Sequence, residues 1–212
     1  MTVEVLAPTL AAVVPQSGGE AEAENAAVQF TRHKFTVDDY YKMLETGILT
    51  EADRVELIDG EVCEMSPIDP IHAACIDRLN RLLNRQLGDE VIVRVQNPIR
   101  LHDYTEPIPD LALVRERDDF YEQQHPTPSE ILLVIEVANT SVVSDRKEKL
   151  PRYAAANIPE VWLVNIARRT IEQYAAPAAD RYTEQQVLGQ GQVLTARAIE
   201  NLELPIDRIF GN

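Results

Sequence analysis

Two carboxylates, Asp110 and Glu136, sit at the ends of two short apolar runs, and a charged segment follows the second. The first run is Asp110-Leu111-Ala112-Leu113-Val114. The second is Ile131-Leu132-Leu133-Val134-Ile135-Glu136-Val137-Ala138, five aliphatic residues running into an acid. A run this short and β-branched reads as a strand buried on both faces. An unpaired charge buried there costs on the order of several kcal/mol or is driven to neutralise. A neighbouring Arg or Lys is one remedy and a metal ion is the other. If the two strands pair antiparallel, the start of one lies beside the end of the other, and both acids meet at one sheet edge. Like charges held that close repel, so one protonates unless a cation sits between them. Mg²⁺, or Mn²⁺ in its place, suits such a pair, since Mg²⁺ takes one or two carboxylates and completes its shell with water and phosphate oxygens. A backbone carbonyl at Val137 offers one more oxygen.

Downstream lies Ser144-Asp145-Arg146-Lys147-Glu148-Lys149-Leu150-Pro151-Arg152-Tyr153. Asp145, Lys149 and Tyr153 recur every four residues, so a regular helix aligns them on one face. A lysine beside a metal-bound water orients it, or offsets charge on a phosphorane-like transition state. Spacing alone is met just as well by an exposed Asp145–Lys149 pair worth about a few tenths of a kcal/mol, and that is the plainer reading. Pro151 predicts a kink, because a mid-helix proline costs about 3 kcal/mol.

These residues need elements to hold them. Residues 54–65 read as a hairpin, with Asp59-Gly60 supplying the positive dihedrals of a type I′ turn. Alternation puts Val55 and Leu57 on one face and Glu56 and Ile58 on the other. Glu56 is then a solvated strand residue, as alternation by itself suggests, or a third acid aimed at a site. Residues 71–87 carry Ile76, Leu79, Leu83 and Leu87 on one helical stripe. Arg78, Arg81 and Arg85 share the opposite stripe, where solvation is the plain reading and phosphate contact the sharper one. His72, near the head of this helix, reads as packed or capping, since no second histidine is spaced to join it. Thr36 with Asp39 has the look of a capping box before Tyr40, Tyr41 and Leu44, in a helix that Gly47 ends. Strands follow over residues 91–95, 98–101 and 110–114, then a polar, proline-bearing loop over 115–130. After the central strand come a helix over 144–156 and strands over 161–166 and 170–174, with one or two more strands and a closing turn from Tyr182 onward. That order predicts a mixed α/β (α+β) sheet flanked by helices.

The 212 residues allow one domain of ordinary size with a tail, and 45% of them are hydrophobic, enough for a core. Residues 1–30 are rich in Ala, Glu and Gly and lack periodicity, which predicts a flexible leader ahead of a domain over 31–212. No apolar run nears the ~20 residues that span a bilayer. Met1-Thr2-Val3-Glu4 lacks the basic start of a secretory signal. Cys63 and Cys75 have no metal or redox spacing, so a cytoplasmic setting fits, with both as small buried hydrophobes. Net charge is −15, which argues against indiscriminate binding to polyanions. Gly189-Gln190-Gly191 lacks the third glycine of a dinucleotide fingerprint, and neither a phosphate-loop lysine motif nor a G-x-S-x-G elbow occurs.

A succession of pieces resembles the restriction-endonuclease-like superfamily, whose signature is PD-(D/E)XK, and in particular its heavily duplicated bacterial branch. The pieces are Arg54-Val55-Glu56-Leu57-Ile58-Asp59-Gly60-Glu61, His72, Pro109-Asp110, Glu136-Val137 and Ser141, then Asp145, Lys149, Tyr153 and Ile158-Pro159-Glu160-Val161-Trp162. The resemblance implies a metal-dependent phosphodiesterase core with an N-terminal helix and hairpin. It makes Asp110 and Glu136 the metal carboxylates, Lys149 the catalytic lysine and Glu56 an accessory acid. One departure stands out: Ala138 occupies the place, two residues after Glu136, where the signature has lysine. The resemblance to this branch implies that a lysine from the following helix substitutes, which carries the role to Lys149. The expectation is therefore a Mg²⁺-dependent DNA endonuclease, with a homodimer making the two cuts of a duplex. Arg78, Arg81, Arg85, Arg146, Lys147 and Arg152 are the expected phosphate contacts. The displaced lysine and the acidic chain favour a different class, a catalytically idle interaction domain that keeps the fold.

Overall fold

The computed structural model describes residues 31–50, 52–139 and 142–211; the leader expected over residues 1–30, and Ser141, lie outside the described residues. The chain runs α1 (Val37–Glu45), β1 (Val55–Ile58), β2 (Glu61–Glu64), α2 (Pro70–Gln86), β3 (Val91–Val95), β4 (Leu111–Arg115) and β5 (Ile131–Ala138). It continues through α3 (Val142–Ala155), β6 (Glu160–Asn165), β7 (Thr170–Ala178), β8 (Arg181–Leu188), β9 (Val193–Thr195), β10 (Glu203–Pro205) and α4 (Ile206–Phe210). Strands β3 to β8 form one six-stranded sheet in chain order. Its neighbours pair antiparallel except β5 and β6, which run parallel. A parallel pair needs a crossover, and α3 supplies it. The mixed sheet flanked by helices is the architecture expected.

Alternation along β5 divides its side chains between two cores. Leu133, Ile135 and Val137 pack with Leu79 and Leu83 of α2 and with Ile206 and Ile209 of α4. Val134 and Ala138 pack on the other face with Leu150 and Tyr153 of α3. Glu136 shares that second face by parity, so its carboxyl is sent toward α3. A third, smaller core joins Val37 and Tyr40 of α1 to Leu57 of the hairpin. The capping box is present, with Thr36 Oγ1 accepting from Asp39 N and the Asp39 carboxylate accepting from Thr36 N. Asp59 and Gly60 both adopt positive φ, 48° and 74°, as the type I′ turn demands.

Three local expectations change. Residues 98–101 form no strand, because the stretch they face carries Pro107 and Pro109, which lack N–H donors for a ladder. Ile99 N and Leu101 N instead donate to the carbonyls of Pro107 and Thr105, both at 3.0 Å. The closing turn includes α4, whose Ile206, Ile209 and Phe210 are buried. Helix α3 starts earlier than expected, at Val142, and continues through Pro151. Arg152 turns its guanidinium back onto the Glu148 carbonyl there.

Candidate active site

Leu111 pairs with Ile135 in the antiparallel register of β4 and β5, and one further step sets Asp110 opposite Glu136. Both acids line a single cavity of about 410 Å³. Asp110 is held at both oxygens. Its Oδ2 accepts from Val137 N at 2.8 Å and lies 3.0 Å from His72 Nε2, and its Oδ1 is 3.3 Å from Gln96 Nε2. Glu136 is buried, and its Oε1 accepts from Tyr153 Oη at 2.6 Å. Among the described residues no hydrogen bond is made to its Oε2.

Lys149 reaches this pair from α3. Its Nζ lies 3.3 Å from Glu136 Oε1 and 3.5 Å from Glu56 Oε1. The pair that forms is not an exposed Asp145–Lys149 contact: the turn of α3 aims Lys149 at the sheet, where its ammonium lies within 3.5 Å of two buried acids, Glu136 and Glu56. Glu56 is correspondingly not a solvated strand residue. The face opposite Leu57 looks into the cavity rather than into water, and Glu56 Oε2 also accepts from Ile108 N at 2.9 Å. His72, read as packed or capping, is a site residue through Asp110, while the cap of α2 is Asp69, which accepts from Ile71 N and His72 N. Asp69 also accepts from Asn139 Nδ2, tying the head of α2 to the exit of β5.

Burial pushes the Glu136 carboxyl up to about 8, with Asp110 and Asp145 adding to the rise and Lys149 and Tyr153 opposing it. Burial alone lowers the Lys149 ammonium, but Glu136, Glu56, Asp145 and Asp110 outweigh it and hold the group above its ordinary range. The two groups are coupled: burial favours a neutral carboxyl on Glu136, and the surrounding acids favour the cationic form of Lys149. His72 is raised, first by its hydrogen bond to Asp110, against burial. Desolvation raises Cys63 and takes Cys75 up to about 11, which leaves both as inert thiols.

Six carboxylates line the cavity, Glu56, Glu64, Asp110, Glu136, Asp145 and Glu148, against two permanent cations, Arg54 and Lys149. This surplus of negative charge suits a small hard cation. Among the described residues no group of three His, Cys, Asp or Glu forms a ready-made metal cage. Two carboxylates at the mouths of neighbouring strands fit Mg²⁺, which keeps several of its waters, and do not fit a closed Zn²⁺ site. Asp110 and Glu136 would be the residues facing such an ion, and Val137 lines the same cavity.

The expected phosphate contacts do not gather here. Arg78, Arg81 and Arg85 are exposed on α2 and do not line the cavity. Arg78 lies against Gly211, where an added Cβ would be 2.9 Å from its Cζ. Arg146 is engaged by both oxygens of Glu172, and Arg152 by Asp59 and Glu148. Lys147 is exposed. One residue at the site escaped the sequence reading: Gln96 carried only a faint signal, a polar residue before Asn97-Pro98, and it adopts a positive φ of 49°. Spacing places Tyr153 on the face of Lys149 but gives it no role there.

The family profile described as "Uma2: Putative restriction endonuclease" matches residues 37–207. The fold is similar to the crystal structure of a putative nuclease belonging to DUF820 from Anabaena variabilis ATCC 29413. That similarity has a TM-score of 0.66 at 15% sequence identity and covers 83% of this chain and 97% of the other. No curated protein matches the chain.

Proposed function

The chain belongs to the Uma2 family of putative restriction endonucleases, and we propose on that footing that it is a metal-dependent nuclease hydrolysing DNA phosphodiester bonds. The observation that carries the reading is the approach of Lys149 Nζ to 3.3 Å from Glu136 Oε1, on the wall of the cavity where Asp110 also lies. A lysine from α3 thereby reaches the carboxylate whose own strand offers only Ala138.

Asp110 and Glu136 would hold Mg²⁺ or Mn²⁺, with the Val137 carbonyl as a further oxygen. When bound, the ion supplies a Lewis acid for a phosphate oxygen and lowers the pKa of a water. The rest is done by the protein. Val137 N, His72 and Gln96 fix the Asp110 carboxylate, and Tyr153 fixes Glu136. Glu56 and Glu136 hold the ammonium of Lys149 from two sides. An ammonium has three protons, so one remains for a water or phosphate oxygen facing the cavity. There it orients the attacking oxygen or offsets the charge that develops on phosphorus. Lys147, Arg81 and Arg85, exposed on α3 and α2, are left as outer phosphate contacts, and a homodimer would serve to cut both strands of a duplex.

A second reading, the idle interaction domain, draws on the same ion pairs: a lysine already neutralised by two acids is also a self-satisfied structural cluster. Calorimetric titration with Mg²⁺ or Mn²⁺ separates the two. The nuclease gives a binding heat that Asp110→Ala removes, and a silent wild type supports the idle domain.

A further inference from the structure

We infer that Arg54 is the side chain that receives a phosphate group of the nucleic-acid substrate, an inference that rests on the nuclease reading above. A cavity with a surplus of carboxylates repels a polyanion, so some cation must be kept for the incoming phosphate. Of the two permanent cations on its wall, Lys149 is committed to Glu136 and Glu56. Arg54 is the other. Among the described residues its guanidinium makes neither an ion pair nor a hydrogen bond, and it is exposed.

Its backbone, by contrast, is fixed. Met65 N donates to the Arg54 carbonyl at 2.8 Å, closing the open end of the hairpin. The turn before it is pinned by Asp53, whose carboxylate accepts from Thr50 N and Thr50 Oγ1, both at 2.8 Å. A free charged head on a fixed base, beside the catalytic cluster, is what phosphate recognition requires. Arginine also suits it chemically, since its planar fork donates two parallel N–H bonds to one phosphate. The basic residues that sequence spacing favours for this task are less available: Arg146 and Arg152 are paired, and Arg78, Arg81 and Arg85 lie off the cavity. Arg54 therefore acts at the reacting phosphate or its immediate neighbour, and the α2 and α3 cations act farther along the backbone.

The test compares Arg54→Ala and Arg54→Lys in a Lys149→Ala background, which leaves a DNA probe uncut. Anisotropy of a fluorescein-labelled duplex, and separately of its single strand, reads nucleic-acid binding in Mn²⁺. Calorimetry reads Mn²⁺ binding. Arg54→Ala should weaken DNA binding about ten-fold or more, the usual loss for a charge-assisted hydrogen bond, and Arg54→Lys should recover part of it. Mn²⁺ binding should tighten, because a positive charge has left the cavity. Opposite movements of the two affinities are a signature that a merely structural role does not give. DNA affinity unchanged in Arg54→Ala overturns the inference, as does a joint fall of DNA binding, Mn²⁺ binding and melting temperature. Arg54-dependent DNA binding by a parent that takes up no Mn²⁺ leaves the inference standing and removes the nuclease reading instead. A parent that binds neither probe removes both.

Discussion

Lys149 of α3 and Glu136 of β5 meet with Nζ 3.3 Å from Oε1, although thirteen positions separate them along the chain. The crossover that makes β5 and β6 parallel returns the chain over the face that β5 parity assigns to Glu136. One turn of that helix then reaches the strand end. Topology thus brings a lysine to the strand that offers only Ala138, and Lys149 and the Tyr153 hydroxyl offset the cost of burying Glu136.

Metal affinity should rise with pH until about 8. The Glu136 carboxyl is raised from its ordinary value of 4.5 to about 8, so between those values the folded protein holds a proton that a divalent ion must displace. Calorimetry in buffers of different ionisation enthalpy should detect proton release on Mn²⁺ binding near neutrality and little above pH 8. The same shift acts on the metal-free fold. A raised carboxyl contributes stability that is present below about 4.5 and lost as pH rises through about 8. His72, also raised, moves stability in the same direction.

Glu136→Gln should stabilise the metal-free protein at pH 8 and above, by on the order of 1–2 kcal/mol. The amide oxygen still accepts from Tyr153 while the buried charge is gone. The variant should also lose any rise in melting temperature with Mn²⁺, since that rise is mass action on the native state. Asp110→Asn is the poorer probe of repulsion, because an amide there would turn an N–H toward donors from Val137, His72 or Gln96. Thermal melts with and without metal check both statements.

Tyr153→Phe removes one buried hydroxyl donor and should cost about 1 kcal/mol in stability. It should also raise the Glu136 carboxyl further, weakening Mn²⁺ binding at pH 7 more than at pH 9. Equal weakening at the two pH values would show that Tyr153 supports packing alone.

Much of this site could be read from residue order. The alternation of residues 55–58 and the antiparallel logic of Asp110 and Glu136 held, because a period of two and a ladder register are local rules. What periodicity could not supply was the side of the hairpin that faces a cavity, since a solvated face and a site-lining face look alike in one strand. Spacing alone left Glu56 and Lys149 open between a solvated face and a site-lining one, and only the family resemblance put them at the site. His72 was undervalued because its partner, Asp110, is brought to it by the fold and not by spacing. The 98–101 strand failed for want of a donor-bearing partner.

Glu160, within the stretch Ile158-Pro159-Glu160-Val161-Trp162 on which the family resemblance partly rests, should prove structural. It is fully buried; its Oε1 accepts from Trp162 Nε1 and Gln173 Nε2, and its Oε2 from Arg197 N and Ala198 N. Glu160→Gln turns an amide N–H₂ toward two donors and should cost about 3 kcal/mol. Denaturant titration should show that loss, with metal affinity per folded molecule unchanged.

Nicking of supercoiled plasmid in Mg²⁺ or Mn²⁺ by wild type, Lys149→Ala and Lys147→Ala tests the central claim most directly. Lys147 is exposed and lies about 200° round the helix from Lys149, so it controls for simple loss of charge. The nuclease account predicts a loss of ~10²–10³ in rate for Lys149→Ala, with Mn²⁺ binding retained and Lys147→Ala within a few-fold of wild type. Equal, small effects from both lysines, or a wild type that nicks nothing with either metal, would contradict it.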